Sequence, residues 1–219
     1  CMEVESGSQR HVIFDLDGTL IDSRFELECV YRELFVMLPP VASKGIDSIN
    51  YSDSLADVLG AMYGGNQEVV DQAARLFSEM YDESDFSRTS LYEGVEEVLG
   101  IVKRRGFRLY IATNKRQTPT LRILRAKRLE DIFSEVVSSD SGESLGKLTK
   151  CAMVKLICER HSVRSGYMVG DSPTDLRSGS QFGLESVAAL YGYGDELELK
   201  GCNPNHFIRR FSEVVQILM

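Results

Sequence analysis

The sequence predicts an α/β protein, a mostly parallel sheet core with a helical cap inserted near its start. Three observations predict it. After Leu91, strand-like apolar runs alternate with helical segments, the pattern of a parallel sheet covered on both faces. One further apolar run, His11 to Phe14, stands alone ahead of them. Between the two lies a stretch, 23 to 90, that reads as helical throughout. The expected organisation is therefore a discontinuous core, 11 to 22 and 91 to 219, a helical cap, 23 to 90, and a polar N-terminal tail, 1 to 10.

Each element has its own reason. His11 to Phe14 is a short apolar run ending at Asp15, with glycine and threonine close behind, so it reads as a buried strand entering a loop. Ser23 and Glu26 have the spacing of a capping box. Behind them Leu27, Val30, Tyr31, Leu34, Phe35 and Leu38 fall at helical spacing, and Pro39 and Pro40 end that helix. Leu55, Val58, Leu59 and Met62 suggest a second helix, stopped by Gly64 and Gly65. Asn66 caps a third, with Val69, Ala73, Leu76, Phe77 and Met80 on its buried face. The segment from Ser84 to Ser90 is polar and suits a flexible linker. In the core, strands are expected at Phe107 to Ala112, Glu135 to Ser138, Tyr167 to Val169, Ser186 to Leu190 and His206 to Ile208. Helices are expected near 94–105, 117–128, 147–161 and 173–181, the last opened by Pro173 after Ser172.

Composition narrows the function. Of 219 residues 26% are charged and 43% hydrophobic, an ordinary globular balance. The net charge is −8, and the stretch 23 to 90 holds five basic and twelve acidic residues. Binding a phosphate backbone needs a basic surface, so nucleic acid is not the expected partner. Residues 103 to 129 hold ten Lys or Arg and no acid, which reads as a solvated face, or as Lys115 and Arg116 drawing in an anion. No apolar run approaches the roughly 20 residues of a membrane span, and the polar start has no signal-peptide character. A cytoplasmic protein with no membrane partner is expected. The five cysteines include no CxxC pair, so neither a disulfide framework nor a zinc site is expected. His11, His161 and His206 have no nucleophile elbow to serve, and read as structural.

The chemistry gathers at predicted strand ends, where open α/β sheets bind ligands. The first strand runs into Asp15-Leu16-Asp17-Gly18-Thr19-Leu20, the second into Thr113-Asn114, and the fourth into Gly170-Asp171-Ser172-Pro173-Thr174-Asp175. A helix is expected to open near Lys147. Crowded carboxylates repel unless a cation relieves them, and an all-oxygen set favours a hard ion such as Mg²⁺. A metal, a lysine and a hydroxyl facing one point suit a phosphoryl group in transfer, and a carboxylate there can attack phosphorus.

At these residues the chain resembles the haloacid-dehalogenase-like (HAD) superfamily, and within it the phosphatases of the phosphoglycolate-phosphatase type. The family's DxDGT motif is met by Asp15 to Thr19, its strand-ending Ser or Thr by Thr113, and its GDxxxD motif by Gly170 to Asp175. Its motif lysine is assigned to Lys147, which precedes Asp171 by 24 residues, close to the family separation; Lys150 is the competitor. The resemblance implies a Rossmann-like core with a cap, and an aspartyl-phosphate mechanism on a small phosphate ester. Asp15 would be the nucleophile and Asp17 the acid and then the base. Thr113, Asn114 and Lys147 would hold phosphoryl oxygens. Mg²⁺ would sit on Asp15, the Asp17 backbone carbonyl and Asp171, with Asp175 direct or through water.

Three other functions are weighed. A sugar phosphomutase of the β-phosphoglucomutase kind keeps both aspartates but tends to have Val and Glu where this chain has Thr19 and Gly170. A non-catalytic phosphate-binding module would not need the intact acidic, hydroxyl and lysine set. Phosphonatase chemistry would need a cap lysine, for which only Lys44 is present, and would replace Asp17. The substrate and the oligomeric state are not legible.

Overall fold

The computed structural model describes residues 10–41, 45–142 and 146–218. Lys44 and the tail ahead of Arg10 lie outside the described residues. β1 (Arg10–Phe14) leads to β2 (Ile21–Asp22), and then three helices follow: α1 (Arg24–Met37), α2 (Leu55–Met62) and α3 (Gln67–Glu83). β3 (Ser90–Leu91) returns the chain to the core. There α4 (Val95–Arg104), β4 (Phe107–Thr113), α5 (Gln117–Ala126), β5 (Glu135–Ser138), α6 (Lys150–Arg160), β6 (Tyr167–Gly170), α7 (Pro173–Gln181) and β7 (Glu185–Ala189) alternate. α8 (Glu196–Gly201), β8 (His206–Ile208) and α9 (Val214–Ile217) complete the described chain.

Six strands form one parallel sheet in the order β5-β4-β1-β6-β7-β8. β1 is central, and Val12, Ile13 and Phe14 are fully buried because helices cover both faces. Burying each such side chain is worth roughly 1.5–3 kcal/mol. After β1 the chain builds outward through β4 and β5, then returns to the other side of β1 as β6. The order therefore reverses at β1, which places a crevice beyond the carboxyl ends of β1, β4 and β6.

Between β2 and β3, helices α1 to α3 pack on one another through Tyr31, Leu34, Leu59, Met62, Ala73 and Phe77. The two passages of chain into and out of this helical body are not loose. β2 and β3 pair antiparallel, Ile21 with Leu91 and Asp22 with Ser90. The expected capping box does not form. Ser23 makes no side-chain cap bond; its hydroxyl turns to Asp17 instead. The buried Glu26 carboxylate accepts from the Ser84 hydroxyl and from the Arg88 backbone N–H at 2.9 Å. The polar segment read as a flexible linker is thus tied to α1.

The helix expected from Lys147 starts later, at Lys150. Thr149 is its N-cap and accepts from the Ala152 N–H at 3.2 Å. Cys29, Cys151, Cys158 and Cys202 are free thiols. No described helix is long and apolar enough to cross a membrane. His11 pairs with the Tyr110 hydroxyl at 3.0 Å, His161 with Glu135 and His206 with Glu185, away from the crevice.

Candidate active site

β1 delivers Asp15 to the crevice, held by its N–H to the Val169 carbonyl at 2.9 Å. The chain then turns tightly. Gly18 has φ +78°, and a Cβ there would stand 2.1 Å from Asp171 Oδ2, so only glycine fits. The turn leaves Asp17 half-exposed and facing the same cavity as Asp15. Asp17 Oδ1 accepts from Ser23 Oγ at 2.5 Å and lies 3.2 Å from Lys115 Nζ. β4 ends in buried Thr113, with exposed Asn114 beside it on the cavity wall.

β6 ends at Gly170 and is followed by Asp171, which is 4% exposed. Its Oδ2 accepts from the Tyr193 N–H at 2.7 Å, and its Oδ1 from Thr19 Oγ1 at 3.3 Å. Asp175, fully buried at the start of α7, forms a capping box with Ser172. One of its oxygens is thereby occupied, and the other lies 2.9 Å from Lys150 Nζ.

The structure brings Lys150, and not Lys147, to the carboxylates. Lys150 Nζ donates to Asp15 Oδ1 at 2.6 Å and to the Ala112 carbonyl at 2.8 Å. Lys147 is exposed on the cavity wall. The reason is the helix start: the Thr149 cap puts Lys150 in the first turn, pointing at the sheet, and leaves Lys147 in the preceding loop. Asp15, Asp17, Thr113, Asn114 and Asp171 share the cavity; Asp175 stands behind it, linked to Asp15 by Lys150.

Electrostatics explain what the group can hold. Burial and the nearby Asp175 charge raise the Asp15 carboxyl well above the usual range, against the opposing pull of Lys150. Burial and Asp175 likewise push Asp171 up to about 7. Burial alone would lower Lys150, but Asp15 and Asp175 raise it further. Oxygens of Asp15, Asp171 and Asp175 all lie within 4.8 Å of one another. One ammonium thus faces three buried carboxylates. The surplus negative charge and the all-oxygen donors fit a hard divalent cation.

Three further residues shape the site: Tyr193 and Tyr81 were not assigned to it from sequence, and Arg116 was read there only as drawing in an anion. Tyr193, in the loop after β7, accepts from the Ser23 N–H at 2.8 Å and binds Asp171 through its own N–H. Tyr81 of α3 accepts from Lys115 Nζ at 2.8 Å. Arg116 grips Asp82 of α3 with two bonds, at 2.6 and 2.8 Å. The last two contacts join the helical body to the end of β4.

Residues 12–189 match the family model described as haloacid dehalogenase-like hydrolase. A phosphoglycolate phosphatase from Psychrobacter arcticus is 30% identical over 221 residues, covering 95% of both chains. One from Nitrosospira multiformis is 32% identical over 84% of both chains. A haloacid dehalogenase-like family hydrolase from Streptococcus pneumoniae superposes with a TM-score of 0.84 at 18% identity, over 97% of this chain and 99% of its own. With the strand-end carboxylates in place and the family model spanning most of its length, this chain belongs to the haloacid dehalogenase-like hydrolases.

Proposed function

We propose that this enzyme hydrolyses a small phosphomonoester in two steps, through a phosphoryl group carried on Asp15. The observation that supports this most is the placement of Asp15 and Asp17 two residues apart on one cavity, with Lys150 on the first. The phosphoglycolate phosphatase names of the relatives point the same way.

Asp15 attacks phosphorus with one carboxylate oxygen, and the ester oxygen leaves. Asp17 gives its proton to that oxygen, then takes one from the water that attacks the phosphoryl-aspartate. Lys150 holds Asp15 in position and, with Thr113 and Asn114, binds the phosphoryl oxygens. This replaces Lys147 in that role. Asp15, Asp171 and the Asp17 backbone carbonyl would hold Mg²⁺, with Asp175 supporting from behind. When bound, the ion screens the negative charge that the carboxylates and the phosphoryl oxygens bring together. Residues 23 to 90 act as a cap domain that excludes water and contacts the leaving group.

Phosphate release from a panel of phosphomonoesters tests the reading. Turnover in Mg²⁺ that vanishes in excess EDTA and returns with Mg²⁺ supports it. Full activity in EDTA, or no release from any ester, refutes it.

A further inference from the structure

The cavity above Asp15 encloses about 900 Å³, far more than a phosphoryl group needs. The helical body walls it with Tyr31, Ile49, Leu55, Val58, Phe77 and Tyr81. Three of these are an aromatic row: Tyr31 and Phe77 centroids are 4.7 Å apart, and Phe77 stacks on Tyr81 at 5.8 Å.

The charges lining the cavity argue against an anionic leaving group. The cavity's basic lining residues, among those described, all come from the core: Lys115, Arg116 and Lys147. Lys115 is held by Asp17 and by the hydroxyl and ring face of Tyr81. Arg116 is clamped bidentately by Asp82. Lys147 is solvated. Two further acids, Asp53 and Asp140, line the space beyond the catalytic carboxylates. A carboxylate such as that of phosphoglycolate would meet apolar rings and like charge.

We infer that the cap selects phosphomonoesters whose alcohol carries an uncharged apolar or aromatic group, in preference to phosphoglycolate. The inference rests on the phosphatase reading above and adds the substrate class. Taking apolar surface out of water is favourable in proportion to its area, so a phenyl ring held against this wall gains at least about tenfold over a small alkyl ester.

The test compares benzyl phosphate, ethyl phosphate and phosphoglycolate by kcat/KM, and benzylphosphonate with phosphonoacetate by calorimetry in Mg²⁺. Benzyl phosphate is expected to exceed both other esters about tenfold or more, and benzylphosphonate to bind tighter than phosphonoacetate. Leu55→Arg, at a half-buried wall position, should shift the benzyl-to-phosphoglycolate ratio toward phosphoglycolate by about tenfold. Val58→Ala, a smaller change if the arginine disturbs folding, should lower the benzyl-to-ethyl ratio. Hydrolysis with phosphoglycolate preferred overturns the inference and leaves the phosphatase reading standing. Preferential benzylphosphonate binding without turnover of any ester supports the cap's selectivity and overturns the hydrolysis. Neither turnover nor preferential binding overturns both.

Discussion

Lys150 Nζ lies 2.6 Å from Asp15 Oδ1 and 2.9 Å from Asp175 Oδ1, bridging two buried carboxylates, one after β1 and one in the first turn of α7. Removing one partner of such a pair leaves charge uncompensated and typically costs 3–5 kcal/mol. Losing a donor to a developing phosphoryl charge costs about 10² to 10³ in rate. Lys150→Met is therefore expected to lower kcat/KM at least a hundredfold and to shift the thermal midpoint. Lys147→Met should stay within about threefold of wild type with its midpoint unchanged. Steady-state kinetics and thermal melts on both variants decide it; the reverse ranking returns the role to Lys147.

Asp17, the proposed acid, is held on the cavity by Ser23 and Lys115. General acid help is worth about 10² to 10⁴-fold, most where the leaving group is poor. Asp17→Asn should slow single-turnover phosphorylation by alkyl phosphates more than by p-nitrophenyl phosphate. Equal losses on the two would remove the acid role.

Asp171 carries a pH signature in the metal-free protein. Its folded pKa is raised to about 7, above the usual carboxylate value, so between about pH 4 and 7 the folded state binds more protons than the unfolded one. Its contribution to stability is present below that window and is lost as pH rises through 7. In EDTA the thermal midpoint should fall from pH 5 to pH 8, and less so in Asp171→Asn. Saturating Mg²⁺ should restore more at pH 8 than at pH 5, because protons and metal compete for the same oxygens. A metal-free midpoint whose pH dependence is identical in wild type and Asp171→Asn contradicts this.

Glu26 ties the second passage of chain to the first helix through Ser84 and Arg88. Glu26→Ala leaves the part-buried Arg88 N–H and Ser84 hydroxyl without their charged partner, a loss of about 1–3 kcal/mol. Amide exchange in the passage from Ser84 to Ser90 should accelerate while the core strands keep their protection. If exchange there matches wild type, the carboxylate does not latch the passage.

Much of the site was legible because its chemistry is local. Asp15, Thr113 and Asp171 each stand at the end of an apolar run, and Asp17 lies two residues past Asp15, so strand ends and site residues were read together, and all four face one cavity. Lysine was harder, since two candidates stand three residues apart and only the helix start separates them. The signal was present in Thr149, a good N-cap residue directly before Lys150. Ser23 and Glu26 misled in the opposite sense: their spacing suits a capping box, but tertiary partners claim both side chains. Tyr81 and Tyr193 carry no local mark. They reach the site from distant elements, and only packing brings them there. The sheet order was beyond the sequence because the return of β6 to the far side of β1 leaves no trace in periodicity.

The central claim is that Asp15 carries the phosphoryl group between the two steps. Acid quenching during the first turnovers, followed by intact-mass measurement and peptide mapping, tests it most directly. The account predicts one phosphoryl group on the peptide containing Asp15, labile to hydroxylamine as an acyl phosphate is, and none on Asp15→Asn. A phosphoryl group on any other residue, or an Asp15→Asn enzyme turning over at the wild-type rate, would contradict it.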